Sequence, residues 1–449
     1  MPDTELELHV TPDMAHFTRM ARENPKARFN SLMGLLSRTE GLRASFDSQP
    51  IRKAVGVDGV TKADYQEGLD ERLDALSGNL RRLGYRPKPS RRVYIPKANG
   101  GRRPLGIPSF EDRIVQHRLS QILQAIWEPE FRDCSFGFRP NRSAHDALRQ
   151  IAQTITHQRI GWVVEADIKG FFNEVNHDHM LRFLEHRITD PHLLRTLRRF
   201  LKAGTMHNGT FENTDAGTPQ GGLVSPVLAN IYLHYVLDWW FEGRFRKTCS
   251  GDAELVRYAD DFVACFEKQQ DAERFHAELV TRLAQFALEV EPSKTKIVRF
   301  GRFAQQHCHR ENRKRPETFT LLGFTHYAAK SQSGQFVVGR RTDAKRMRRQ
   351  LHDLKARLKG LRTSGGRTMQ DYVRLHLRGY QQYYGVSGNS GMLRAYFRQA
   401  AKLLFKWLNR RSQRKSLPWS RFLQLWKEGY IIPKAQIVHN LYPAPTRTR

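Results

Sequence analysis

Asp260 and Asp261 stand side by side between two apolar runs, Leu255-Val256 and Phe262 to Phe266, so a turn there presents two carboxylates to something other than a core. An uncompensated pair of acids beside buried strands is costly, and a divalent cation is the usual remedy. A third acid, Asp167, closes the stretch WVVEAD and is followed by IKGFF. Three carboxylates at the ends of neighbouring strands can hold two Mg2+ ions about 4 Å apart, one activating a primer 3′-hydroxyl and one bearing a triphosphate. That chemistry is nucleotidyl transfer. Taken alone, an Asp-Asp pair in a hairpin is also an ordinary turn; the earlier strand-ending acid shifts the balance.

The elements that must position these acids are legible in the periodicity. Residues 161–168 read as a short strand ending in an acid, and 254–266 as two strands flanking an Ala-Asp-Asp turn. Residues 111–128 place Ile114, Val115, Leu119, Ile122, Leu123 and Ile126 at helical spacing, which predicts an amphipathic helix. A second helix is predicted over 341–361, with Ala344, Met347, Leu351, Leu354, Leu358 and Leu361 on one face and Lys345, Arg346, Arg348 and Arg349 elsewhere. Helices mixed with short strands indicate an α+β fold.

Among 449 residues, 75 Lys plus Arg face 45 Asp plus Glu, a net charge of +30, in a chain that is 39% hydrophobic. The excess calls for a polyanionic partner, nucleic acid first, in a foldable sequence that is not a histone-like tail. The charge is unevenly spread: residues 301–449 carry +26 and residues 1–300 only +4. An enzyme body followed by a phosphate-binding region is the natural reading, with a boundary near residue 330. Cys134, Cys249, Cys265 and Cys308 show no C-x-x-C spacing, against a disulfide scaffold or a zinc ribbon, and His307-Cys308-His309 reads as a polar loop. The N-terminus has no basic and apolar leader pattern and no stretch is long and apolar enough to span a membrane, so a soluble, cytoplasmic and nucleoid-associated protein is expected.

The motif series is specific. ADIKGFF at 166–172, GTPQGGLVSPVLANIYLH at 217–234, YADD at 258–261, EPSKTKIVRF at 291–300 and LLGF at 321–324 resemble, in order, the motifs of reverse transcriptases. Upstream, GVDGVT at 56–61, YIPKANGGRRPLGIPSFEDRIVQ at 94–116 and SFGFRPNRSAHDAL at 135–148 resemble group II intron reverse transcriptase/maturases. LRGYQQYYGV at 377–386 and LLFKWLNRRSQRKSLPWSRF at 403–422 resemble the same family's thumb and maturase region, so the likeness runs from about residue 30 to 440.

The resemblance implies a right-hand polymerase: an N-terminal extension and fingers over 1–110, a fingers and palm catalytic domain with an antiparallel sheet over 111–330, and a helical, basic thumb and maturase (X) region over 331–449. It implies that Asp167, Asp260 and Asp261, with the Ile168 carbonyl, hold two Mg2+ ions, Mn2+ being a substitute. Lys97 and Arg103 would clamp the triphosphate, Phe172 would gate the sugar against a 2′-hydroxyl, Gln220 would lie against the nucleotide, and Lys294 would approach the acids. Arg139 and Arg142 would contact the template. Arg348, Arg349, Arg378, Arg410, Arg411, Arg414 and Lys415 would bind RNA, while Tyr380, Tyr383, Tyr384, Trp407 and Trp419 sit at a spacing that suits core as well as stacking. The implied activity is RNA-templated DNA synthesis coupled to splicing of a group II intron RNA and its retrohoming. The partners are that RNA or another structured template, a DNA primer or target, and dNTPs, with no membrane and with the oligomeric state left open. The competing readings are a host-recruited reverse transcriptase in phage defence or repair, and an RNA-binding splicing factor. No paired-cysteine endonuclease module is present, so second-strand cleavage is not expected.

Overall fold

The computed structural model describes residues 12–96, 101–218, 221–410 and 417–442. Eleven strands are described: β1 (Ser90–Pro96), β2 (Arg102–Ile107), β3 (Trp162–Asp167), β4 (Thr205–His207), β5 (Thr210–Glu212), β6 (Ala253–Tyr258), β7 (Asp261–Phe266), β8 (Lys296–Arg299), β9 (Phe319–Leu321), β10 (Phe324–Lys330) and β11 (Phe336–Thr342). They form three sheets, ordered β2-β1-β4-β5, β6-β7-β3-β8 and β11-β10-β9, set among helices. Pairing is antiparallel except for the short β1/β4 contact. The α+β expectation is met in the form of a mixed fold with antiparallel sheets. Among the described residues no helix is long and apolar enough to cross a membrane.

The central sheet β6-β7-β3-β8 is buried on both faces, as its almost unbroken apolar sequence requires. Alternation sends Val164, Ala166, Leu255, Phe262, Ala264 and Phe266 into one core with the N-terminal helices. The intervening residues Val163, Val256, Val263, Cys265 and Val298 enter a second core. That core also takes residues of the helix Ala144–His157, β9 to β11 and the C-terminal helices Ala344–Gly360, Gly366–Tyr384 and Ser390–Leu408. The packing therefore runs straight across residue 330, where the charge changes.

Two helix readings are refined. The helix Phe110–Trp127 forms where expected, yet it is enclosed all round: Asp112, Arg113, Gln116, His117 and Arg118 are buried with its apolar residues. It lies against the helices Pro12–Glu23, Leu32–Leu36, Thr39–Asp47 and Ser225–Leu233, which leave it no solvent face. The second expected helix is Ala344–Gly360, with only Leu354 and Leu358 fully buried and its basic residues outward. His307-Cys308-His309 is not a loop: it lies in the helix Ala304–Arg310, with Cys308 buried.

Because Val163, Val263 and Val298 face a core supplied largely by residues beyond 330, a chain ended at residue 330 is expected to lose cooperative thermal unfolding and to bind a dye specific for exposed apolar surface. A sharp, cooperative melt of residues 1–330 would show the central sheet to be self-sufficient.

Candidate catalytic site

Strand register brings the acids together. In the β3/β7 ladder Asp167 pairs directly with Asp261, and β6 and β7 are joined by the two-residue turn Ala259-Asp260. The turn is thus one residue tighter than the Ala-Asp-Asp expectation, since Asp261 already belongs to β7. Glu165, Asp167 and Asp261 share the sheet face that Val163 and Val263 cover with the C-terminal core, because side chains alternate along a strand. On that face the Leu322 N–H makes a long contact of 3.5 Å to an Asp261 carboxylate oxygen, and the Thr320 N–H donates to Glu165 at 2.9 Å. The Tyr383 hydroxyl donates to the Leu322 carbonyl at 2.8 Å, so the LLGF turn joins the acid to the helix Gly366–Tyr384.

The turn is backed by a buried cation. Arg257, the residue before Tyr258, is fully buried and is gripped by the equally buried Asp238 through Nε–Oδ1 and Nη2–Oδ2 bonds of 2.7 and 2.5 Å. Sequence reading passed over both residues. The available signal was a lone arginine in the strand ELVRY and a lone acid in the apolar run YLHYVLDWW, each demanding a partner.

Electrostatics around the acids follow from crowding. Burial pushes the Asp261 carboxyl up to about 7 against the opposing hydrogen bond from the Leu322 N–H, and the charges of Asp167, Asp260 and Glu165 add to the rise. Burial and Asp167 raise Asp260, while Arg103 and Lys294 pull it down. The Lys294 ammonium lies 2.5 Å from an Asp167 oxygen, and the resulting hydrogen bond holds the lysine above its ordinary value. Among the described residues no three His, Cys, Asp or Glu side chains meet as a ready ion cage. The donor set nonetheless suits a divalent cation: hard oxygen ligands whose mutual repulsion only added positive charge relieves. The Ile168 carbonyl belongs to the same strand end, where Ile168 forms an isolated bridge with Val290 and the Glu291 N–H donates to the Asp167 carbonyl at 2.8 Å.

The remaining candidates divide clearly. Arg103, on β2, is exposed and close enough to act on Asp260. Phe172 is half-buried against Phe171, and its carbonyl accepts the Thr218 N–H at 2.8 Å. Gly221 follows with φ of +110°, and a Cβ there would lie 2.5 Å from the Gly106 carbonyl, so only glycine lets this segment rest on β2. Lys97, Gln220, Arg411, Arg414 and Lys415 lie outside the described residues. Arg348, Arg349, Arg378 and Arg410 are exposed, and Arg349 reaches the Pro96 carbonyl at the end of β1 at 3.4 Å. Tyr380, Tyr384 and Trp407 are buried rings of the core.

Arg139 and Arg142 do not present themselves to a template as expected. Arg139 is buried, paired with Glu128 at 2.8 Å, and donates to the Arg132 and Ser135 carbonyls at 2.7 and 2.9 Å. Arg142 pairs with Asp133 at 2.6 Å and donates to the Asp133 carbonyl at 2.9 Å. Arg139 thus shapes the 132–142 loop from within, and Arg142, half-exposed, braces the same loop from its edge.

A carboxyl raised in the folded state binds a proton there that the unfolded chain has lost, so its contribution to stability falls as pH rises from about 4 to about 7, the span between the ordinary and raised Asp261 values. The metal-free Asp261→Asn variant is therefore expected to melt above wild type at pH 8, with the gap closing toward pH 5. A gap that stays constant across that range would remove Asp261 as the titrating group.

Comparison with known proteins agrees with this geometry. The family described as "Reverse transcriptase (RNA-dependent DNA polymerase)" matches residues 95–326. Protein YkfC of Escherichia coli (strain K12) is 38% identical over 238 residues, 51% of this chain and 62% of that protein. The group II intron-encoded protein LtrA of Lactococcus lactis subsp. cremoris is 37% identical over 229 residues, 50% of this chain and 38% of LtrA. An uncharacterized 91 kDa protein in the cob intron of Schizosaccharomyces pombe is 40% identical over 174 residues, 38% of this chain and 21% of that protein. The matches span less than two thirds of these relatives' own lengths. The family match covers more than half of the 449 residues and encloses Asp167, Asp260 and Asp261, and on that ground the chain belongs to the reverse transcriptase (RNA-dependent DNA polymerase) family.

Proposed function

We propose that this protein is an RNA-directed DNA polymerase of the group II intron kind, which binds a structured RNA, assists its splicing and copies RNA into DNA. The observation that carries the reading is the cross-strand pairing of Asp167 with Asp261 at the mouth of the tight turn bearing Asp260. In this reading β6-β7-β3-β8 is the palm of a right hand, the β1–β2 hairpin belongs to the fingers, and the basic helices beyond residue 330 are the thumb and maturase region, continuous in packing with the palm.

Asp167 and Asp260, with the Ile168 carbonyl and the neighbouring Asp261, would hold two Mg2+ ions. Bound there, the ions lower the pKa of a primer hydroxyl and share the charge of a triphosphate. Lys294 sits 2.5 Å from an Asp167 oxygen and places a positive charge beside the acids. Arg103, on the fingers strand and near enough for its charge to act on Asp260, is suited to a nucleotide's phosphates, together with Lys97 and with Gln220 against the nucleotide. Phe172, half-buried beside Phe171, would gate the incoming sugar. Arg348, Arg349, Arg378 and Arg410 supply exposed cations for RNA phosphates. The presence of all three acids favours a polymerase over a factor that only binds RNA.

Primer extension on an RNA template with a DNA primer, Mg2+ and dNTPs is expected to proceed with wild type and to vanish in Asp260→Asn. Extension that survives the substitution would move the chemistry elsewhere. In the same assay Phe172→Ala is expected to admit ribonucleotides that wild type rejects; continued rejection would take Phe172 out of sugar selection.

Salt offers a separate check on the basic helices. Replacing Arg348 and Arg349 together by Ala is expected to weaken RNA binding and reduce the slope of log affinity against log salt by about 1 to 2, from the counterions no longer released. An unchanged slope would place both residues outside the interface.

A further inference from the structure

Behind the Ala259-Asp260 turn all three guanidinium nitrogens of Arg257 are engaged. Nε and Nη2 grip Asp238, Nη2 also donates to the Ser135 hydroxyl at 2.7 Å, and Nη1 donates to the Asn230 side-chain oxygen at 3.1 Å and to the Ala259 carbonyl at 3.0 Å. The strand itself is clamped next to the fork: the Arg257 N–H donates to the Cys134 carbonyl at 2.7 Å and the Arg257 carbonyl accepts the Phe136 N–H at 2.9 Å. Asn230 closes the circuit by donating to the Gly137 carbonyl at 2.8 Å. Gly137 lies so close that a Cβ there would stand 2.4 Å from the Ala259 nitrogen. Three separated chain segments thus converge on one peptide of the turn.

That peptide needs holding. Ala259 has φ of +57°, a left-handed conformation that is strained for an L-residue other than glycine. Such strain persists only where the surroundings over-determine it, and it concentrates where a side chain must be aimed. Asp238 reaches the fork from the last position of a π-helical segment, His234–Asp238, a wide turn of the kind common at functional sites. A neutral, fully buried pair could be replaced by packed apolar side chains without loss of stability, so stability alone does not account for it.

We propose that Arg257, locked by Asp238, is the positioning residue of the catalytic turn: it fixes the Ala259 carbonyl and through it the direction of the Asp260 carboxylate. This rests on the polymerase reading above. Arg257 touches neither substrate nor metal. Its effect is to remove the turn's freedom before the reaction begins, and a displacement of about 1 Å at a reacting group costs about 100-fold in rate.

The test is the double variant Arg257→Met with Asp238→Leu, which removes the pair without leaving a buried charge unpaired. A folded double variant is expected to show kcat for primer extension lowered about 100-fold with the KM for dNTP held within about threefold. Its Mg2+ requirement is expected to rise, and Mn2+ binding followed by electron paramagnetic resonance to weaken. A folded double variant that retains wild-type kcat and Mn2+ affinity overturns the proposal, whatever its melting temperature. Wild type and Asp260→Asn run in parallel separate the two readings: wild type without Asp260-dependent incorporation fails the polymerase reading, whereas an active wild type beside an equally active double variant fails this one. Should the double variant not fold, Asn230→Ala, which removes one acceptor of Arg257 and the Gly137 contact, is expected to lower kcat about tenfold with KM unmoved; unchanged kcat there overturns the proposal equally.

Discussion

Three carboxylates gathered at one end of a sheet repel one another, and the sheet has no wet face on which to dissipate the cost. Both faces of β6-β7-β3-β8 are covered by apolar cores, and beside Asp167 burial disfavours the charges of Asp260 and Asp261. The rest of the architecture is arranged around that cost. Lys294 neutralises Asp167 from one side, Arg103 acts on Asp260 from another, and the Leu322 N–H turns toward Asp261 from the C-terminal half. Arg257 supplies no net charge, because Asp238 cancels it; its contribution is geometric. Net charge and rigidity are delivered by different residues, so each can be altered without abolishing the other.

The same two-sided burial explains why the C-terminal region is no appendage. Charge divides the chain near residue 330, but packing does not: Val163, Val263 and Val298 in the sheet share a core with Leu354, Met369, Leu377 and Phe397. The LLGF turn makes the link specific. Leu322, in a left-handed conformation, offers its N–H toward Asp261 while its carbonyl accepts from Tyr383, so a helix of the basic region and a carboxylate of the site share one residue as neighbour.

Much of this was legible before any coordinates. Strand-ending acids, apolar strands and a helical basic tail follow from alternation and local charge, which depend only on near neighbours in sequence. What escaped reading depends on distant ones. Arg139 and Arg142 look like phosphate ligands because an arginine's chemistry is the same whether it faces solvent or a loop's carbonyls. The difference lies in Glu128, Asp133 and the carbonyls of residues 132–135 that these arginines meet. The helix Phe110–Trp127 carries polar residues as a surface helix does, yet four other helices enclose it and its polar atoms find buried partners, as when the Gln116 side chain accepts the Leu223 N–H at 2.8 Å. Arg257 and Asp238 are each anomalous in their own segments. Only the fold reveals that the two anomalies resolve one another.

Range separates the two electrostatic systems in this chain. The exposed arginines of the C-terminal helices act through water, where charges further apart than about 8 Å are screened at physiological salt. Their attraction for any polyanion is the part of the chain's electrostatics that salt tunes. The Arg257–Asp238 fork and the buried Asp261 carboxyl lie in dry surroundings, where added salt reaches poorly. Affinity for a polyanion and the alignment of the carboxylates should therefore respond to different variables, the first to ionic strength and the second to divalent cation and pH. A chain divided in charge but continuous in core can thus change its grip on a nucleic acid while the geometry of its acids stays fixed.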